Sequence, residues 1–145
     1  MTSALTEQEL SFLRSMFDLA RSGDASRLGA CIDDGVPVNL TNGAGDSLLI
    51  LAAYHCHPDT VRALLARGAD TGRVNDRGQT ALGAAVFRRS RPVVELLLDA
   101  GADPALGPRS AVDVARFFDL PEMLALLQGV RAPEPGSTAA AATRD

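Results

Sequence analysis

The 145-residue chain has no lysine, no tryptophan, one tyrosine, two histidines and two cysteines, and each shortage excludes something. Cys31 and Cys56 are too few for a disulfide framework. The longest apolar run, "LLILAAY" at 48–54, falls far short of a membrane span. The start, "MTSALTEQELSF", lacks the basic-then-apolar order of an export signal, so the expected compartment is a reducing cytoplasm. Net charge is −4 and all 14 basic residues are arginine, a balance that argues against general nucleic-acid affinity. What is present is 46% hydrophobic composition, enough for one globular domain with a real core.

The chain repeats itself. Gly35, Gly68 and Gly101 are spaced 33 residues apart, and so are Asn42 and Asn75, Gly45 and Gly78, and Ser47 and Thr80. The glycine series reads "CIDDGVP", "LLARGAD" and "LLDAGAD"; the second series reads "NGAGDSLLILAA" and "NDRGQTALGAAV". A further copy, "RSAVDVARFFDLPEMLALL", follows after 30 residues instead of 33, which predicts that one hairpin tip is missing.

Each unit reads as two short helices and a long turn. Ser47, Thr80 and Ser110 are placed to cap first helices, and Asp113 gives Ser110 a capping-box pattern. Pro58, Pro92 and Pro121 stand near the start of the second helices, where a missing amide hydrogen costs little, and glycine follows their ends. "NG" at Asn42 favours a tight hairpin. Helices this short are not stable alone. The stripe Val61, Leu64, Leu65 must therefore be covered by Val94, Leu97, Leu98, and these by Leu124 and Leu127. Stacking the units satisfies this and makes an all-α solenoid of about four helix–turn–helix units. Truncating Leu65 or Leu98 to alanine is expected to cost about 2–5 kcal/mol.

In these motifs the chain resembles the ankyrin-repeat family: "GDSLLILAA" and "GQTALGAAV" look like its first-helix opening, "LLARGAD" and "LLDAGAD" like its second-helix ending. The resemblance spans about residues 9 to 128. It departs in the first helix, where Leu48 and Ile50, then Ala81 and Gly83, stand in place of the family's usual proline and histidine. The frame predicts one domain over residues 1–128: an N-terminal capping unit at about 6–41, repeats at about 42–74 and 75–106, and a C-terminal cap at about 107–128. Thr6 with Glu9 forms a capping box for the first helix, Leu5 with Leu10 a staple, and Leu10, Leu13, Phe17 and Ala20 share its apolar face. Residues 129–145, rich in proline, alanine and small polar side chains, read as a disordered tail.

His55, Cys56 and His57 place three metal-ligating side chains together. In the repeat frame they align with Ser22, Gly23, Asp24 and with Arg88, Arg89, Ser90, which makes them the corner between two helices, with His57 placed to cap the second. Structural zinc needs four converging ligands, and Cys31 aligns instead with core positions Leu64 and Leu97. Nothing near Cys31 is placed to activate its thiol, and no base, orienting group and nucleophile converge. The reading is non-enzymatic, with no cofactor.

Function then falls to surface recognition. The resemblance implies a protein partner bound through the hairpin tips and the concave face of the first helices. Tyr54, Phe87 and Phe117 fall at one repeat position at the end of successive first helices, and His55, Arg88 and Phe118 at the next. Such rings either close the corner as core or form a groove, here edged by Arg21, Arg88, Arg89 and Arg116. A groove of aromatic and arginine side chains fits an acidic, apolar-bearing peptide or protein surface. Asp46, Asp76, Arg77 and Gln79 at the tips would supply rim contacts. The expected protein is a monomeric adaptor that binds another protein, not nucleic acid or membrane. The alternative is a haem- or metal-handling accessory, because some short bacterial proteins resembling this chain are associated with peroxide defence.

Overall fold

A computed structural model describes residues 5–129; of the tail expected over 129–145, all but Gly129 lies outside them. Eight helices run α1 (Glu7–Ser22), α2 (Ala25–Asp33), α3 (Leu48–Tyr54), α4 (Pro58–Ala66), α5 (Ala81–Phe87), α6 (Arg91–Asp99), α7 (Ala111–Phe117) and α8 (Pro121–Leu127). They form two layers. Odd-numbered helices pack in sequence, α1 on α3, α3 on α5 and α5 on α7; even-numbered helices do the same behind them.

Local chemistry sets each start. Thr6, Asp24, Ser47, Thr80 and Ser110 accept a hydrogen bond from the third amide of their helices. At Thr6 the capping box is complete, since the Glu9 carboxylate also accepts from the Thr6 amide. At Ser110 only the first half forms. Pro58 and Pro121 open α4 and α8, while Pro92 is the second residue of α6. His57 occupies the cap position of α4, but its side chain makes no capping bond.

The exits are as regular. After α4 the Ala69 amide reaches back to the Leu64 carbonyl at 3.0 Å, and after α6 the Ala102 amide reaches the Leu97 carbonyl at 3.0 Å. Both turns pass through a glycine at positive φ, Gly68 at 86° and Gly101 at 91°, where a Cβ would be strained.

Stacking explains why α3 and α5 carry no polar face. Leu48 to Ala53 and Ala81 to Val86 are all buried, because each helix has a neighbour on both sides and an outer helix behind. In α7 only Ala111 and Ala115 are buried. Arg116, at the repeat position of Ala53 and Val86, is exposed where the stack ends. Behind, Leu64 and Leu97 are fully buried, each contributing roughly 1.5–3 kcal/mol. Leu65 and Leu98 are only partly buried, so the stripe expected from sequence is correct in register but rotated by one side chain. The first two units are also fastened by Arg67, whose guanidinium meets the Asp33 carboxylate at 2.9 and 3.1 Å.

Candidate binding face and its geometry

The hairpin tips are built on asparagine. The Asn42 carboxamide oxygen accepts from the Ala44 and Asp46 amides, and the Asn75 oxygen accepts from the Arg77 and Gln79 amides, all at 2.9–3.0 Å. The same side chain thus makes the same turn in two successive units. The tips join each other as well, the Asp76 amide donating to the Ala44 carbonyl at 3.0 Å. In the shortened last unit no asparagine turn recurs. Gly107, Pro108 and Arg109 replace it, and the Arg109 amide donates to the Gly78 carbonyl at 3.1 Å.

Asp46 behaves differently from the rim contact expected of it. It is 7% exposed, and its carboxylate accepts from the Asn75 side chain at 2.7 Å with Arg77 3.8 Å away. Its role is to hold two tips together. Asp76 and Arg77 are exposed and Gln79 is half-buried, its side-chain oxygen taken by Asn75 and Arg77.

The rings at the ends of the inner helices stand clear of the core: Tyr54 is 40% exposed, Phe87 44%, Phe118 43% and Phe117 82%. Tyr54 and Phe87 stack with centroids 6.3 Å apart and planes 10° from parallel. The row departs from the expected ladder at its third rung. Phe118, not Phe117, meets Phe87, edge-on at 5.3 Å, and Phe117 lies outside, edge-on to Phe118 at 4.9 Å.

One rule accounts for the difference. In the last two units the residue just after the inner helix leans back over the ring of the preceding unit. Arg88 sits over Tyr54 with its guanidinium carbon 5.1 Å from the ring centroid and donates to the Tyr54 carbonyl at 3.0 Å. Phe118, the equivalent residue one unit on, does the same to Phe87. The sequence frame contained this pairing, but period alone does not say in which direction a side chain leans.

Beyond that residue the backbone turns left-handed in every unit: Gly23 at φ 80°, then Cys56 at 60°, Arg89 at 58° and Asp119 at 54°. Cys56 is therefore a corner residue in a conformation better suited to glycine. His57 turns away from it and bonds the Arg21 carbonyl of the first unit through Nε2 at 2.7 Å. Its ring lies on Gly23, where a Cβ would come within 2.6 Å of Nδ1. The corner fastens two units instead of capping α4. Partial burial, with His57, Arg88 and Arg21 close by, holds the His55 imidazole below the usual histidine range. Among the described residues no group of three or more histidine, cysteine or acidic side chains is arranged to hold a metal ion.

Two recesses of 480 Å³ each open between the inner helices and the tips. The first, between α3 and α5, has Ile50, Tyr54 and His55 in its lining; the second, between α5 and α7, has Gly83, Phe87, Phe117, Phe118 and Arg109. Arg88, Arg89, Arg109 and Arg116 form no ion pair among the described residues, whereas Arg21, Arg27, Arg62, Arg67, Arg73, Arg77 and Arg91 each do. Arg14 on α1 is likewise unpaired among the described residues, so four of the five such cations lie in the last two units of an acidic chain. Of the expected arginine edge, Arg88 lies on the ring row, while Arg116 faces the end of the stack. Arg109 was not anticipated as a lining residue, because its position depends on the shortened turn.

Comparison with known proteins gives a match to the model for ankyrin repeats in three copies over residues 16–106. A Pseudomonas aeruginosa protein named as an ankyrin repeat protein is 55% identical over 51 residues, covering 35% of this chain and 30% of its own length. A Treponema pallidum protein named as ankyrin repeat-containing is 34% identical over 111 residues, 74% of this chain and 37% of its own. The human mitochondrial disaggregase is 44% identical over 62 residues, 43% of this chain and 9% of its own. The chain thus spans about a third of the length of the two bacterial relatives.

Proposed function

The chain belongs to the ankyrin-repeat family, and from that premise we propose that it is a non-enzymatic adaptor whose inner face binds another protein. Ankyrin repeats generally mediate protein–protein interaction, and the family is typically a non-catalytic module. Support specific to this chain comes from one observation above all: a continuous row of exposed rings, Tyr54, Phe87, Phe118 and Phe117, with Arg88 lying over the first. Exposed aromatic and arginine side chains in contact are the types that dominate binding energy at interfaces. In this reading His55 borders the row, and Asp76, Arg77 and Gln79 provide rim contacts, while Asp46 acts indirectly by setting the tip. No helix among the described residues is long and apolar enough to cross a membrane, so the reading needs no bilayer.

The test is affinity capture from the native lysate with the wild-type chain and with a variant carrying Tyr54→Ala, Phe87→Ala and Arg88→Ala. The variant is expected to keep its helical circular dichroism and lose the captured protein. Equal capture by both would reject the face; a variant that unfolds would show that the rings are structural.

A further inference from the structure

Position for position, Ile50 of α3 corresponds to Gly83 of α5 and Asp113 of α7. Ile50 is 4% exposed and fills its place in the inner layer. Gly83 sits within a seven-residue helix, with ordinary helical geometry, where glycine is a poor choice and neither a turn nor a positive φ requires it. Close packing does not require it either. A Cβ built there meets nothing nearer than the Arg109 carbonyl oxygen and the Thr80 hydroxyl, both at 3.4 Å. A Cβ there would be in ordinary contact with those two atoms and with the Ala111 amide nitrogen at 3.8 Å; without it, Gly83 presents bare backbone to the second recess, which it lines.

The walls of this recess are largely apolar, and its lining carries one cation, Arg109, and one carboxylate, Asp113. Phe87, Phe117, Phe118 and Val114 line it, and the exposed Arg109 stands at its mouth without an acidic partner. The acidic lining residue, Asp113, belongs to the first turn of α7, where the helix start favours its carboxylate. Arg88, also without an acidic partner, adds positive charge on the neighbouring corner.

We propose that the recess over Gly83 is a socket for one apolar side chain of the partner protein, from a segment with a carboxylate beside that side chain to meet Arg109. This rests on the protein-binding reading and adds to it the place and chemistry of the anchor. Two features favour this occupant: the recess of about 480 Å³ has room for a whole apolar side chain up to phenylalanine and its flanking backbone, and Arg109, unpaired among the described residues, favours an acidic neighbour over a basic one.

The experiment is a ¹H–¹⁵N correlation titration of the full chain with three blocked dipeptide probes, acetyl-Phe-Asp-amide, acetyl-Phe-Asn-amide and acetyl-Phe-Lys-amide. The Asp probe is expected to give saturable shifts centred on the amides of Gly83, Arg109, Val114 and Phe118. The Asn probe should bind several-fold more weakly, and the Lys probe about tenfold more weakly or not at all. Gly83→Leu fills the socket and should abolish the Asp-probe shifts while the spectrum stays dispersed; Gly83→Ala, with only a methyl added, should weaken them in a folded protein. Absent or scattered shifts, or equal binding of Asp and Lys probes, would overturn the proposal. So would concentration-dependent shifts of the same amides without probe, which would assign the socket to a second copy of the chain. If Gly83→Leu captures the native partner as well as wild type while the Tyr54, Phe87, Arg88 variant does not, the protein-binding face stands and the socket falls.

Discussion

The two recesses of the inner face occupy the same place in successive units and have the same 480 Å³ volume, yet they are finished in opposite ways. The first is floored by Ile50, and its rim is locked, with Asp46 buried against Asn75 and near Arg77. The second lacks a side chain at Gly83, and at its shortened tip Arg109 has no acidic partner among the described residues. Caps, asparagine turns and left-handed corners recur in both because they hold the backbone. The side chains at the inner position do not, so a repeat scaffold can change what it binds without changing how it folds.

The largest expected effect tests what the recesses share. Leu97 lies fully buried behind both, and Leu97→Ala should cost about 2–5 kcal/mol in chemical denaturation, as should Leu64→Ala. A loss below about 1 kcal/mol would mean that the common frame is wrongly drawn. The next effect separates the rims. Asp46→Ala removes the nearer of the two acceptors of the buried Asn75 amide group, leaving only Gln79, and should cost about 1–3 kcal/mol, whereas Asp76→Ala, exposed one unit on, should stay within about 0.5 kcal/mol. Equal effects would remove the distinction between locked and open rims.

Smaller still, and opposite in sign, Gly83→Ala should raise stability by about 0.5–1 kcal/mol, because a helix interior gains propensity and the new methyl makes only ordinary contacts, none nearer than 3.4 Å. A net loss would show that the space over Gly83 is already needed by the fold. The smallest effect concerns the corner beside the first recess. His55 is held below its unfolded value by burial first and then by His57, Arg88 and Arg21, so below about pH 6.5 the unfolded chain takes up the proton more readily. The contribution is therefore complete above that pH and declines as pH falls toward the lowered folded value. Denaturation midpoints measured from about pH 7.5 down to 5.5 should fall less steeply in His55→Gln than in wild type. Identical slopes would remove this corner from the pH response.

Much of the scaffold was legible in the sequence because caps and turns are local. Ser47, Thr80 and Ser110 each cap through the third amide, and Gly68 and Gly101 mark their turns, as residue type and spacing imply. The ring row was legible in part. The period put Tyr54 and Phe87 at one position, but the choice of Phe118 over Phe117 depends on which way a helix-ending side chain leans, and only packing fixes that. The burial of Leu64 and Leu97 over Leu65 and Leu98 is the same kind of rotational detail. Asp46 was misjudged because tip carboxylates are usually solvated, and its partner Asn75 arrives from the next unit. The substitution of Gly83 for Ile50 was visible in the aligned copies, but its meaning required knowing that the position opens on a recess. Among the described residues the buried Thr60 hydroxyl has no hydrogen-bond partner, which residue type and spacing do not explain.

The central claim is that the partner meets the inner ring row and not the outer helices. A photoreactive benzoylphenylalanine placed at Phe87, compared with one at exposed Arg62 on α4, tests it in the native cell. Crosslinking to one protein from position 87 and none from position 62 is the predicted result; the same adduct from position 62 alone would contradict it.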